Sequence, residues 1–343
     1  MKKVIVTGHN GYIGTHLVRL LKEKGFYVKG IDTNYFNDEC KFSDYVSPNE
    51  ELIKDTRDIS SDDLKGYYAV CHLAALSNDP MGALNEDLTH EINHRASVEI
   101  AKKSKEVGVE KYIFSASCSM YGIADGNKAL DETAEFAPVT AYAISKVNTE
   151  KDVKPLGNEN FSVIFLRNAT AYGLSPKLRL DLVVNNLVGW AMTTGKIRIM
   201  SDGTPWRPLV HAEDIARAFI AVIESPKKLV NGQSFNVGQN SENFQIKDIA
   251  KIVGEVIPGC EVEITGEHGS DSRSYQVDFS KINKELPLFK PQWKLRKAIE
   301  DIYKGYTKIG MDNEKFNGRY FIRLKQLEYL IKTNKLDMKL YWK

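Results

Sequence analysis

Tyr142 and Lys146 stand four residues apart in Tyr142-Ala143-Ile144-Ser145-Lys146, a spacing that on a helix puts a phenol and an ammonium one turn apart on the same face. A free phenol titrates near roughly 10 and is a poor base at neutral pH, but an adjacent cation favours the phenolate and brings it toward working pH. A chain with 16 tyrosines will contain such a pair by accident, and a helical lysine is most often a solvated one. Position is what makes this pair informative. Twenty-five residues before Tyr142, Ser117 ends the strand-like run that starts at Lys111 and opens Ser117-Cys118-Ser119, so hydroxyls emerge at the carboxyl end of a strand. Open α/β sheets bind their ligands at that end.

The elements that must position these groups begin at the amino terminus. Gly8, Gly11 and Gly14 follow the apolar run Val4-Ile5-Val6 and precede a periodic helical stretch. Gly8 and Gly11 let a turning backbone approach a pyrophosphate, and Gly14 lets helix and strand pack closely. The helix starting near Tyr12 and Ile13 aims unsatisfied N–H groups at the phosphates. A second strand over Tyr27–Ile31 ends in Asp32, eighteen residues after Gly14. A carboxylate there accepts the ribose hydroxyls of an adenosine and repels a 2′-phosphate, which favours NAD over NADP. A further strand ends in His72-Leu73-Ala74-Ala75, where small side chains let backbone and nicotinamide meet.

Strand-like runs near 3–7, 27–31, 51–54, 68–73, 111–116 and 161–166 alternate with helical periodicity over 85–107 and 140–153. Gly108 and Gly157 are plausible helix stops. This predicts an α/β fold: a doubly wound parallel sheet covered on both faces, with a smaller C-terminal substrate-binding lobe. Residues 1–168 would form the dinucleotide-binding domain, with segments near 205–240 returning to it, and 169–308 mainly the second lobe. A polar, Lys-rich tail over 309–343, with helix from Gly318 to Thr333, has no assigned role.

The 343 residues, 42% of them hydrophobic, suffice for a substantial core. A net charge of +2 without long runs of like charge argues against a nucleic-acid partner. Cys40, Cys71, Cys118 and Cys260 are widely spaced, so neither a zinc site nor a disulfide framework is expected, and a reducing cytoplasm is. No apolar run reaches membrane-spanning length.

Taken together, the glycines, Asp32, Asp58, His72–Ala75, Ser117 and the Tyr142/Lys146 pair resemble the extended short-chain dehydrogenase/reductase family, and within it the NAD-dependent nucleotide-sugar epimerases and dehydratases. The likeness runs over roughly 3–307. It implies a modified Rossmann fold in which Tyr142 is the acid/base, Lys146 lowers its pKa and binds the nicotinamide ribose, and Ser117 holds the reacting sugar oxygen. It also implies that Asp58 and Ile59 meet the adenine. Arg207 and Arg273 fall where the family places arginines for the substrate diphosphate, and Arg179, Asn186 and Asn168 are further substrate candidates with Cys118 and Ser119. Dehydratases carry an Asp-Glu pair directly after the catalytic hydroxyl residue; Cys118 and Ser119 stand there instead, which disfavours dehydration. Cys118 reads as a packed thiol rather than a proton carrier. Thr170 replaces an Asn common among relatives, and His211 reads as structural. The implied activity is hydride abstraction from a hexose carbon, most simply C4, through a ketosugar nucleotide. Epimerisation ranks first, one-way oxidation or ketoreduction second, and dehydration or a non-catalytic NAD sensor last. The helices over 85–107 and 140–153 are those through which relatives dimerise, so a homodimer is expected.

Overall fold

The computed structural model describes residues 1–123, 128–267 and 274–343. Its centre is a seven-stranded parallel sheet built from β1 (Lys3–Thr7), β2 (Tyr27–Asp32), β3 (Glu50–Ile53), β4 (Ala69–His72), β5 (Lys111–Ser117) and β6 (Ser162–Asn168), with a later strand described below. These strands read as apolar runs because both faces are covered: Val4, Ile5 and Val6 of β1, and Val163 through Leu166 of β6, are fully buried. The order β3-β2-β1-β4-β5-β6 reverses direction between β1 and β4, which opens a crevice at their carboxyl ends.

Three small strands, β7 (Thr170–Tyr172), β8 (Lys196–Ile199) and β9 (Trp206–His211), follow. β10 (Ser234–Val237) adds to the outer edge of β6, in register Ser234 to Phe165, and completes the central sheet. β11 (Asn243–Gln245) pairs with β9, and β12 (Glu261–Ile264) with β8. The first helix, Gly14–Glu23, buries Leu17, Val18 and Leu21 and packs against the helix Ala212–Glu224. The second lobe has its own core, where Leu180, Val188, Ile249, Ile299 and Tyr306 join the helices Val183–Thr194, Ile246–Val256 and Leu295–Lys308.

The helix Ala141–Val153 is capped by Thr140, whose hydroxyl accepts from the Ala143 N–H at 3.2 Å. The helix expected over 85–107 runs without a gap from Glu86 to Glu106, through Glu86–Thr89, a wide π-helical stretch His90–Arg95, and Ala96–Glu106. Asn93 lies in the wide stretch. Its carbonyl accepts from the Ser97 and Thr149 hydroxyls, while its side chain pairs with both backbone groups of Leu76, so the local helix is opened to hold a neighbouring loop.

The tail turns back across the sheet domain. Its helix spans Arg323–Lys332, shorter than the sequence predicts, because Arg319–Ile322 forms a turn before it. Leu327, Leu330, Leu336 and Leu340 bury themselves against Tyr35, Leu76, Met81, Leu88 and Ile92. Among the described residues no helix is long and apolar enough to cross a membrane, and no group of three His, Cys, Asp or Glu is placed to hold a metal ion.

Candidate active site

A cavity of about 530 Å³ lies over the carboxyl ends of β1, β4 and β5, between the sheet and the second lobe. Its floor is the glycine turn. Gly8 has φ +71°, and a Cβ there would lie 2.8 Å from the Ala74 amide nitrogen; one on Gly14 would lie 2.1 Å from the Gly8 carbonyl oxygen. Side chains are therefore excluded where a backbone cradle must stay open, with Tyr12 and Ile13 beside it. The Tyr12 phenol itself points away and donates to the Gly173 carbonyl at 2.6 Å, joining the turn to the second lobe.

Asp32 ends β2 on the cavity wall. Its carboxylate accepts from the backbone N–H of Asn10 at 3.1 Å and of Asn34 at 2.9 Å, which fixes it beside the turn. On the other side of β1, the Thr7 hydroxyl bonds His72 Nδ1 at 2.7 Å and accepts from the amides of Leu73 and Ala74. The His72 ring continues to Ser97 at 2.8 Å, and burial lowers its pKa to about 3, so it is a neutral strut. This buried chain presents Leu73, Ala74 and Ala75 to the cavity.

Ser117, Tyr142 and Lys146 line the same cavity. The Ser117 hydroxyl accepts from the Ser119 amide at 3.2 Å and shares the cavity with the Tyr142 phenol. Burial pushes that phenol up to about 12; Asp79 adds to the rise, while Ser117 and Arg179 oppose it. The expectation that Lys146 depresses the phenol is thus corrected for the protein's own field. The Lys146 ammonium sits 5.6 Å from the Tyr142 ring centre, donates to the Ser115 carbonyl at 2.8 Å, and is itself lowered to about 7 by burial. A cation removed from water releases its proton more readily, and no carboxylate pairs with this one.

Of the substrate candidates, Ser119, Asn168, Asn186 and Arg207 line the cavity, and Ser119 Oγ and Asn168 Oδ1 are buried without a partner in the protein. Arg179 also lines it, but on the dinucleotide side: its guanidinium forks onto Asp181 at 3.0 and 2.8 Å and donates to Ser77 at 3.0 Å. Two expectations, the adenine contact of Asp58 with Ile59 and the substrate contact of Cys118, are not met. Asp58 is exposed and Ile59 is buried in the core, so Asp55 and Thr56 wall the cavity there instead. The Cys118 thiol is turned into the protein, donating to the Arg167 carbonyl at 3.1 Å, and burial raises its pKa far above the usual thiol range. Arg273 lies outside the described residues. His211 caps the helix Ala212–Glu224 and stacks on Trp293 with ring centres 4.2 Å apart.

The sequence reading missed Asn10, Tyr35, Asp181 and Arg323, all on the cavity wall. Asn10, within the glycine turn, was legible in principle from its place between Gly8 and Gly11. Nothing in the local sequence marks Arg323, which reaches the cavity only because the tail folds back.

Residues 4–238 match the model of the NAD dependent epimerase/dehydratase family. The chain is 26% identical over 267 residues to an uncharacterized UDP-glucose epimerase of Bacillus subtilis (strain 168), a match covering 74% of this chain and 82% of the relative. It is 23% identical to human dTDP-D-glucose 4,6-dehydratase, over 87% of this chain and 89% of that one. Among solved structures, the UDP-N-acetylglucosamine 4-epimerase of Methanobrevibacter ruminantium M1, in complex with UDP-N-acetylmuramic acid, superposes with a TM-score of 0.78 at 26% identity, over 90% of this chain and 99% of that one. A glycine cradle without room for side chains, a ribose-accepting carboxylate and a Ser-Tyr-Lys group on one cavity agree with that match, and the chain belongs to the NAD-dependent epimerase/dehydratase family of extended short-chain dehydrogenases.

Proposed function

We propose that this chain is a nucleotide-sugar 4-epimerase. The observation that carries the reading is that Ser117 and Tyr142 line one cavity with the glycine cradle, with Lys146 buried alongside. Bound NAD supplies the acceptor and donor of hydride at one sugar carbon. Tyr142, as phenolate, takes the proton of the sugar hydroxyl; Ser117 donates to the same oxygen and holds it in place. Lys146 supplies positive charge at the phenol's side of the cavity whenever it is protonated. Re-protonation by Tyr142 at the end of the cycle restores the starting state.

Retention of the 4-keto sugar until it is reduced on its opposite face makes the reaction an epimerisation; its escape makes it an oxidation. Asn168, Asn186 and Arg207 line the cavity with Ser117 and Tyr142, and polar groups placed there to hold the 4-keto sugar favour retention. Dehydration needs a second acid and base next to Ser117, and the residue there is a thiol aimed away from the cavity. Relatives bind uridine diphosphate sugars, so these head the panel to be tested. Incubation with uridine-, thymidine-, guanosine- and cytidine-diphosphate hexoses, followed by chromatography of the sugars and by reduced-nicotinamide absorbance, should give an epimer pair without net reduced cofactor. Stoichiometric reduced cofactor with a ketosugar would move the assignment to the dehydrogenase reading.

We propose in addition that the chain is a homodimer through the helices Ala96–Glu106 and Ala141–Val153. The outward positions of the first are charged, with Glu99, Lys102 and Lys105 exposed, so Ile144 and Val147 would form the apolar centre of the contact. Light scattering at micromolar concentration should give twice the chain mass of 38.7 kDa; a mass of one chain refutes the dimer.

A further inference from the structure

The C-terminal tail brings one cation into the dinucleotide cavity that the family match, ending at residue 238, does not cover. Arg323 is 3% exposed. One of its terminal nitrogens donates to the Lys177 carbonyl at 2.9 Å; the other, Nη1, is buried without a partner in the protein. The guanidinium lies 4.0 Å over the Phe36 ring and lines the cavity with Asn10, Asp32 and Arg179.

The local charge is unbalanced. Asp181 is the acid that acts most strongly on Arg323, but its oxygens already accept the Arg179 fork and the Asn78 amide at 2.7 Å. Asp32, which acts more weakly on Arg323, is held by two backbone amides of the turn. Two buried guanidiniums therefore share one carboxylate beside the open backbone of Gly8 and Gly11. The segment carrying Lys177 and Arg179 is pinned to that turn, because the Ser175 hydroxyl donates to the Tyr12 carbonyl at 2.7 Å. The tail is fixed just as firmly. Gln326 donates to the Tyr35 carbonyl at 3.2 Å, the Tyr35 hydroxyl donates to the Leu340 carbonyl, and Trp342 donates to the Thr33 carbonyl at 2.6 Å.

We propose that Arg323 donates through Nη1 to the pyrophosphate of the bound dinucleotide, and that the tail is thereby an integral wall of the cofactor site. The inference rests on the NAD dependence of the family. An anion there completes the charge balance and satisfies the orphaned donor; a diphosphate oxygen is the anionic group a dinucleotide places over a glycine turn. The partly buried aromatic face of Phe36 keeps the guanidinium flat and oriented.

The test is titration calorimetry of the cofactor-stripped protein with NAD, ADP-ribose, adenosine and NADP, for the wild type and Arg323→Met. The expected result is a loss of about 10- to 100-fold in affinity for NAD and ADP-ribose, with adenosine bound equally by both proteins and the ligand-free melting temperature unchanged or raised. Cofactor released by denaturing freshly purified protein should fall in parallel. Arg323→Lys, which keeps the charge and the apolar stem but not the fork, should lie between the two and serves if Arg323→Met does not fold. Equal NAD affinity in wild type and variants overturns the proposal while leaving the cofactor assignment intact. A loss confined to NADP would reassign Arg323 to a ribose 2′-phosphate and also overturns it. Wild-type protein that binds neither NAD nor ADP-ribose refutes the cofactor reading itself.

Discussion

The Tyr142 oxygen is the atom on which turnover depends, and its removal is a clean test. Tyr142→Phe should keep cofactor binding and lose roughly 10²- to 10⁴-fold in turnover, measured by sugar chromatography at saturating substrate; full retained activity would end the proposed mechanism. Lys146 gives a pH-dependent prediction. Its pKa is about 7 in the fold and near 10.5 in an unfolded chain. Below pH 7 both states hold the proton, and the fold bears the whole penalty of a buried cation. Between pH 7 and 10.5 the fold has released a proton that the unfolded chain still binds, so stability rises with pH. Urea unfolding of cofactor-stripped wild type and Lys146→Met should therefore show the wild type gaining relative to the variant by about 1.4 kcal/mol per pH unit above 7, with a flat difference below. The identities of Ser117, Tyr142 and Lys146 were legible because each follows a strand end or sits in a short helical spacing. The state of the phenol was not: it is set by burial and by Asp79 and Arg179, which are remote in sequence.

Among the elements, the glycine turn makes the firmest demand. A methyl on Gly14 would meet the Gly8 carbonyl oxygen at 2.1 Å and His9 Cα at 2.7 Å, all backbone that cannot swing aside. Gly14→Ala should destabilise the protein by about 3 kcal/mol or more by overpacking and empty the cofactor site. Gly11→Ala, whose Cβ would sit 3.1 Å from a single carbonyl oxygen, should weaken NAD binding with a smaller loss of melting temperature. Continuous apolar runs made β1, β2, β4, β5 and β6 readable from sequence, since strands buried on both faces leave that trace. β10 left none: four residues acquire their register from the free edge of β6, a contact across more than sixty positions. The π-helical widening at His90–Arg95 was equally hidden, because Asn93 there reaches sideways to Leu76.

At the scale of the whole molecule, the second lobe and the tail add walls to the crevice at the carboxyl ends of the sheet, the tail through Arg323. The tail's leucines cover Leu88 and Ile92, part of the helical region expected at a dimer contact, so any interface must lie further along, toward Ile144 and Val147. The latch at the far end is Tyr341, whose ring sits 3.8 Å from the Arg57 guanidinium, itself forked onto Asp55. Tyr341→Ala should raise the rate of NAD release, read by stopped-flow displacement, with little change in overall melting; an unchanged rate would mean that the tail end does not restrain the cofactor. None of this was legible in a Lys-rich stretch whose lysines face solvent and whose leucines find their partners some 240 to 300 residues upstream.

The Trp342 indole bound to the Thr33 carbonyl has a temporal meaning. A ribosome makes the glycine turn and Asp32 among its first products and the residues that roof them among its last. During synthesis the nascent sheet must carry an unfinished nucleotide cleft until Trp342 arrives.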